Sequence, residues 1–272
     1  MKLASLLALI LAALLVGCKA PAPPTCNDHF ASGAAPVITS ESLAKKTVQL
    51  CFEEFAVMHS GVSRTSLWSA EHLTAKQVQA ARGLKRKNAF HPEDKLPPGD
   101  RAELADYARS GFDRGHLAPN GDMDSETAQH ESFSLANIIP QHPKNNQRIW
   151  AAIEEAVRDY TEAQGSVYIV TGPIFESDSL TRLNGRVLVP TSVYKAIYHP
   201  GRNVAGAYVT LNAPGDTYEA LSIADLEARI RINVFPSLAP EVKAVPMELP
   251  KPFIRSRGHS TAPTPEPTKP KE

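Results

Sequence analysis

A change of hydrophobic period at Pro143 constrains the fold of this chain more than any other feature of its sequence. Ile149, Trp150, Ile153, Ala156, Val157 and Tyr160 recur at helical spacing, and Gly165 stops the run. Before it, Phe112 to Leu117 reads as a strand entering a turn at Ala118-Pro119-Asn120-Gly121. Phe133, Leu135 and Asn137 then alternate with Ser132, Ser134 and Ala136, which predicts a second strand ending at Pro140. After it, segments 167–175, 187–193, 194–198 and 204–211 are rich in β-branched or aromatic residues and separated by Gly, Pro or Asn. They predict a largely antiparallel sheet. Segments 48–52, 55–58 and 64–68 are further strand candidates, and Ser222 with Asp225 opens a helix through Leu226 to Ile230. Strands and helices segregated in this way imply an α+β fold, a central sheet flanked by helices, and not a doubly wound sheet.

The two ends read differently. Met1-Lys2, an apolar run from Leu3 to Val16 and the small residues before Cys18 have the form of an export signal over 1–17, too short for a comfortable permanent span. Leu15-Val16-Gly17-Cys18 resembles the lipobox of bacterial lipoproteins, which predicts lipidation of Cys18 and a membrane tether; an ordinary cleaved signal is the alternative. Pro21, Pro23 and Pro24 stiffen a spacer over 18–25. The stretch 246–272, rich in Pro, Thr, Lys and Glu, reads as a disordered tail, leaving one domain over 26–245. With Cys18 set aside, Cys26 and Cys51 form an even pair in an exported chain and predict a disulfide, with two separate buried thiols as the alternative. Such a loop contributes on the order of 3.5 kcal/mol by the chain-entropy estimate.

Formal net charge is zero, so any affinity for a polyanion has to come from a local patch. The chemistry gathers around Asp113-Arg114-Gly115-His116. His116 is a candidate general base, because a neutral imidazole accepts a proton near neutral pH. Arg114 offers a bidentate fork to a phosphate, and Asp113 can orient a neighbour or form a structural ion pair with it. Asn146 supplies a hard amide oxygen suited to Mg²⁺ or Ca²⁺. Glu154, two turns further along the helix and about 12 Å away by rise, should reach an ion only through water. A base, a phosphate contact and an oxygen ligand are the parts of metal-assisted phosphodiester hydrolysis. Asn146 and Glu154 taken alone would pass for exposed helical residues, and Trp150 belongs with the apolar stripe. His59, His72, His130, His142 and His199 show no ligand spacing.

At these residues the chain resembles the DNA/RNA non-specific endonucleases of the ββα-metal superfamily, the group that includes mitochondrial endonuclease G and secreted bacterial nucleases. The matching text is Ser110-Gly-Phe-Asp-Arg-Gly-His-Leu-Ala-Pro119, Asn137-Ile-Ile-Pro-Gln141, and Asn146-Gln-Arg-Ile-Trp150 with Glu154. The resemblance extends over roughly 48–238 and implies a ββα-metal fold. It further implies that His116 activates water, Asn146 binds Mg²⁺ (Mn²⁺ being the other candidate) and Glu154 assists through water on the ion. Asn137 and Gln141 would shape the loop and the hydration around it. An upstream arginine would stabilise phosphate charge; Arg86 is the match, in a basic run that also holds Arg82 and Lys87. The expectation is an exported enzyme cutting DNA and RNA to 5′-phosphate ends. The rivals are a module that captures nucleic acid without turnover and a structural envelope lipoprotein.

Overall fold

A computed structural model describes residues 26–177 and 179–254. The signal-like segment, Cys18, the spacer and residues 255–272 lie outside the described residues. In chain order the strands are β1 (Val37–Ile38), β2 (Thr47–Cys51), β3 (Phe55–Ser60), β4 (Thr65–Thr74), β5 (Asp113–His116), β6 (Ile138–Gln141) and β7 (Ser166–Ile174). They continue as β8 (Arg182–Leu183), β9 (Val187–Leu188), β10 (Ser192–His199), β11 (Val204–Leu211), β12 (Glu219–Leu221) and β13 (Ile232–Asn233). The helices are α1 (Ala75–Arg82), α2 (Leu104–Tyr107), α3 (Glu126–Ser132), α4 (Ala151–Gln164), α5 (Ile223–Ile230) and α6 (Pro240–Ala244).

The seven-stranded sheet has the order β12-β11-β10-β7-β4-β3-β2, with every neighbouring pair antiparallel. Both faces are covered, so the central strands carry apolar residues on both sides. Ile149, Trp150, Ile153 and Val157 of the long helical segment pack with Leu73, Ile169, Val193 and Ile197 on one face. Ile223, Leu226 and Ile230 of α5, with Phe30, pack with Trp68, Val170, Tyr194 and Ala207 on the other. This is the α+β architecture the patterning implied.

The sheet also explains where the site sits. Strands β4 and β7 are neighbours whose ends meet at Thr74↔Ser166, and Ala75 N donates to Gly165 O at 2.7 Å. Everything between them is an excursion that leaves the sheet and returns beside its point of departure. Thr74 starts it with a reciprocal capping box: its Oγ1 accepts from Gln77 N, while Gln77 Oε1 accepts from Thr74 N. Gly165, at φ +103°, ends α4 in a conformation that side chains disfavour. Within the excursion β5 and β6 form an antiparallel pair followed by α4, a ββα unit.

Four local expectations are corrected. The strand expected over 133–140 is confined to β6. Ser134 Oγ accepts from Ala136 N and makes Leu135–Asn137 a 3-10 turn instead, a local side-chain bond outcompeting the ladder. The helix beyond Pro143 opens as a π-helical turn, Asn145–Trp150, before becoming regular. The strand candidates 187–193 and 194–198 resolve into the short β8–β9 hairpin and one long β10. The disordered tail expected over 246–272 does not hold for its first residues. Met247 N donates to Ala205 O at 2.8 Å, and Met247 and Leu249 are buried against the sheet. Composition averaged over the whole segment hid two apolar anchors. The Cys26–Cys51 disulfide is present, with Cα atoms 5.6 Å apart.

Candidate active site

Strand alternation sends Arg114 and His116 to one side of β5 and Asp113 and Gly115 to the other. The His116 ring is buried between Phe90 (centroids 5.4 Å) and Phe133 (5.1 Å, edge-on). Its Nε2 is buried with no partner among the described residues. The Arg114 guanidinium lies 4.2 Å from the Phe90 centroid, and that of Arg86 lies 5.2 Å from the Phe133 centroid. Two cations thus flank the imidazole across its two aromatic neighbours. Burial first, then the fields of Arg86 and Arg114, push the His116 pKa down to about 3. The imidazole is therefore neutral at ordinary pH.

The other side of β5 carries the frame for Asn146. Gly115 packs against the buried side chain of Gln141, whose Nε2 donates to Asn145 Oδ1 at 2.7 Å. Asn145 Nδ2 in turn donates to Thr210 Oγ1 (3.1 Å) and Leu211 O (2.9 Å), pinning the start of the π-turn to β11. Asn146 follows, half-buried, with Nδ2 donating to Asp113 Oδ2 at 2.9 Å. Asp113 also accepts from Gln147 Nε2 at 2.8 Å. With its nitrogen turned to Asp113, the Asn146 amide presents Oδ1 as an acceptor that no donor reaches among the described residues. A π-turn at such a place is a common device of functional sites.

Arg86, Asp113, Arg114 and Asn146 line a single cleft of about 530 Å³. His116 is not among the lining residues but packs against Phe90, which is. Of the three basic side chains considered upstream, only Arg86 is there. Arg82 is bonded to Glu155, Asp159 and Glu162, and Lys87 pairs with Glu126. Two residues expected to shape the loop and the hydration around an ion are buried, and their amides go to the protein frame. Asn137 is fully buried and spends its amide on the backbone: Oδ1 accepts from Ala118 N, and Nδ2 donates to Ala118 O and Ser132 O. It fixes the turn after β5, the loop role expected of it. Gln141 is likewise a buried strut.

Glu154, half-buried on α4, interacts electrostatically both with Arg86 of the cleft and with a charged cluster on the α4 face of the sheet that sequence reading missed. Lys195 Nζ donates to Thr171 Oγ1 at 2.8 Å and lies 5.6 Å from the Trp150 centroid. Arg158 bonds Asp122 Oδ1 (2.8 Å) and Glu155. Burial raises the Glu154 carboxyl, opposed by Lys195 and Arg158. Burial and Asp122 raise Glu71 as well. The available signal was a Glu and a Lys, Glu71 and Lys195, in the middle of otherwise apolar strands.

A divalent ion fits this donor set. The free Asn146 oxygen is hard and neutral, and among the described residues no group of three or more His, Cys, Asp or Glu side chains is placed to hold a metal. An ion here would keep most of its shell for water and substrate oxygens, as Mg²⁺ does.

Comparison with known proteins agrees with this geometry. The family model for DNA/RNA non-specific endonucleases matches residues 34–239, and the chain belongs to that family. It is 34% identical over 206 residues to Nuclease C1 of Cunninghamella echinulata var. echinulata, covering 68% of this chain and 82% of that protein. It is 35% identical over 196 residues to the mitochondrial nuclease EXOG of Danio rerio, covering 64% and 57%. Human mitochondrial endonuclease G is 33% identical over 178 residues, with 60% of each chain covered. The chain thus spans a little over half the length of those two mitochondrial relatives. A crystal structure of the EndoG/EndoGI complex superposes with a TM-score of 0.61 at 24% identity, over 72% of this chain and 88% of that one, and shares the ββα-metal fold.

Proposed function

We propose that this chain is a metal-dependent endonuclease of relaxed sequence preference that hydrolyses DNA and RNA phosphodiester bonds, leaving 5′-phosphate and 3′-hydroxyl ends. The observation that carries the reading is the convergence at one cleft of Arg86, Arg114 and Asn146, with His116, its Nε2 unpartnered among the described residues, packed against the lining residue Phe90. His116 is the group that takes the proton from attacking water. At rest its basicity is held down by burial and two guanidinium fields. A phosphate seated between Arg86 and Arg114 offsets those fields, so the imidazole becomes a stronger base when substrate is bound. The same arginines hold the phosphate oxygens with forked, charge-assisted bonds. Asp113 holds the Asn146 amide with Oδ1 outward, where it would take Mg²⁺ or Mn²⁺. That ion supplies charge stabilisation to the reacting phosphate. Glu154, with its raised pKa, holds or passes a proton between this end of α4 and the buried cluster.

Sequence tolerance follows from contacts that address phosphate and not base edges. Capture without turnover is disfavoured by relatives that are named nucleases. The test is plasmid nicking with Mg²⁺ by the chain from Lys19 onward. His116→Ala and Asn146→Ala should each lose about 10²–10⁴-fold, and retained cutting by His116→Ala would sink the assignment.

Export and lipidation at Cys18 are proposed on the sequence alone. Among the described residues no helix is long and apolar enough to cross a membrane. Growth with a labelled fatty acid followed by fractionation decides it: an unlabelled product removes the anchor.

A further inference from the structure

Six of the thirteen arginines among the described residues are ion-paired. Arg82, Arg101, Arg148, Arg158, Arg186 and Arg229 each contact at least one carboxylate within 3.2 Å. The cleft holds none of those six. Three guanidinium groups line it, Arg86, Arg109 and Arg114, and none forms an ion pair among the described residues. Its one acidic lining residue, Asp113, is committed to Asn146 and Gln147. In a chain of zero net charge, an excess of two unpaired cations in one cleft is a concentrated anion site.

Arg86 and Arg114 flank His116 and suffice for the scissile phosphate. Arg109 is left over. It lines the cleft together with Leu104, Tyr107 and Phe112, and its backbone is in the left-handed region at φ +57°, uncommon for a long side chain. The hydroxyl of Tyr107, another lining residue and 6% exposed, is buried without a partner among the described residues. The cleft, about 530 Å³, lies within the range of about 300–1,000 Å³ that encloses ligands of many atoms, more than one phosphate needs.

We propose that Arg109 binds the phosphate adjacent to the scissile one, so that the cleft grips two consecutive linkages of a polynucleotide and favours polymers over a single phosphodiester. This rests on the endonuclease reading for the chemistry, but the anion contact itself can be measured without turnover. Arg109 is a binding residue whose effect falls on substrate length and salt dependence.

The experiment has two arms. Binding of a labelled DNA duplex is followed by fluorescence anisotropy in chelator, using His116→Ala with and without a change at Arg109, between about 50 and 200 mM salt. Arg109→Ala and Arg109→Gly should each lower the slope of log affinity against log salt by about 0.9, the loss of one phosphate contact on duplex DNA. Arg109→Lys should retain the slope. Glycine fits the left-handed backbone better than arginine, so a loss shared by Ala and Gly reports charge and not a damaged loop. In the second arm, with His116 intact, Arg109→Ala should raise KM for long DNA far more than it lowers kcat. The penalty on long DNA should also exceed that on a dinucleotide with a single linkage by about tenfold. An unchanged salt slope, or equal penalties on both substrates, overturns the proposal. Should the wild-type chain bind without cutting, the endonuclease reading falls while the slopes still decide on Arg109. Absence of binding by the unsubstituted chain overturns both.

Discussion

Gly115→Ala tests the link between the geometry of the β5 tetrapeptide and the placement of Asn146. A Cβ at position 115 would lie 2.7 Å from Gln141 Cβ and 2.9 Å from its Cδ, with Oε1 nearer still. Carbon atoms in comfortable contact are about 3.5–4.0 Å apart, so the two groups must separate by about 1 Å. Gln141 has nowhere to go: it is fully buried and its amide is tied to Asn145, which is tied to β11. Overpacking costs about 1–3 kcal/mol, and loss of the buried Gln141–Asn145 bond adds about 1 kcal/mol. The sum, about 2–4 kcal/mol, corresponds to a fall in melting temperature of about 4–16 °C at about 2–4 °C per kcal/mol for a domain of this size. Activity should suffer more than stability. Asn145 is the residue before Asn146, and a 1 Å misplacement of a catalytic group costs about 10²-fold. Differential scanning fluorimetry and plasmid nicking on the same preparation give both numbers. A variant that melts like the parent and cuts at the same rate would refute the chain of contacts from Gly115 to Asn146.

Three further outcomes are expected. Cys51→Ser should destabilise the domain by about 3.5 kcal/mol, and parent and variant should melt together once reductant is added. His116 titrates at about 3 in the folded chain against a usual 6.5, so the unfolded chain takes up its proton first as pH falls. Its contribution to stability is complete above pH 6.5 and is lost between there and about 3, at up to about 1.4 kcal/mol per pH unit. Urea unfolding across that window should show the slope, and His116→Phe should flatten it; an unchanged profile would place the imidazole in solvent. Arg158→Met leaves the buried Asp122 carboxylate unpaired and should cost about 3–5 kcal/mol by urea unfolding. A near-neutral result would mean that water reaches Asp122.

Some of this was open to reading from residue order. Period changes located the β5–β6–α4 unit and the antiparallel sheet because strand and helix impose different repeats on the same apolar residues. The cysteine pair was legible from parity. Other features were not. Asn137 looked like a loop residue near an ion, yet its amide is consumed by Ala118 and Ser132. Arg82, Arg86 and Lys87 were indistinguishable as charges; only their separate partners on α4 and α3 leave Arg86 for the cleft. Met247 and Leu249 were submerged in a polar average until the sheet gave them somewhere to bury.

The sequence by itself determined the kinds of group available, their order, and the local periods that place His116 on a strand and Asn146 at the start of a helix. Tertiary structure decided which of them meet. Strands β4 and β7 pair end to end, so the residues between them fold back over the sheet, and Asp113 comes to hold Asn146 across thirty-three positions of chain. The same folding lays Arg86 and Arg114 against the two rings that enclose His116. Charge and hydrogen bonding act over a few ångströms of space and take no account of separation along the chain, which is why the functional state of each group became visible only with its neighbours in place.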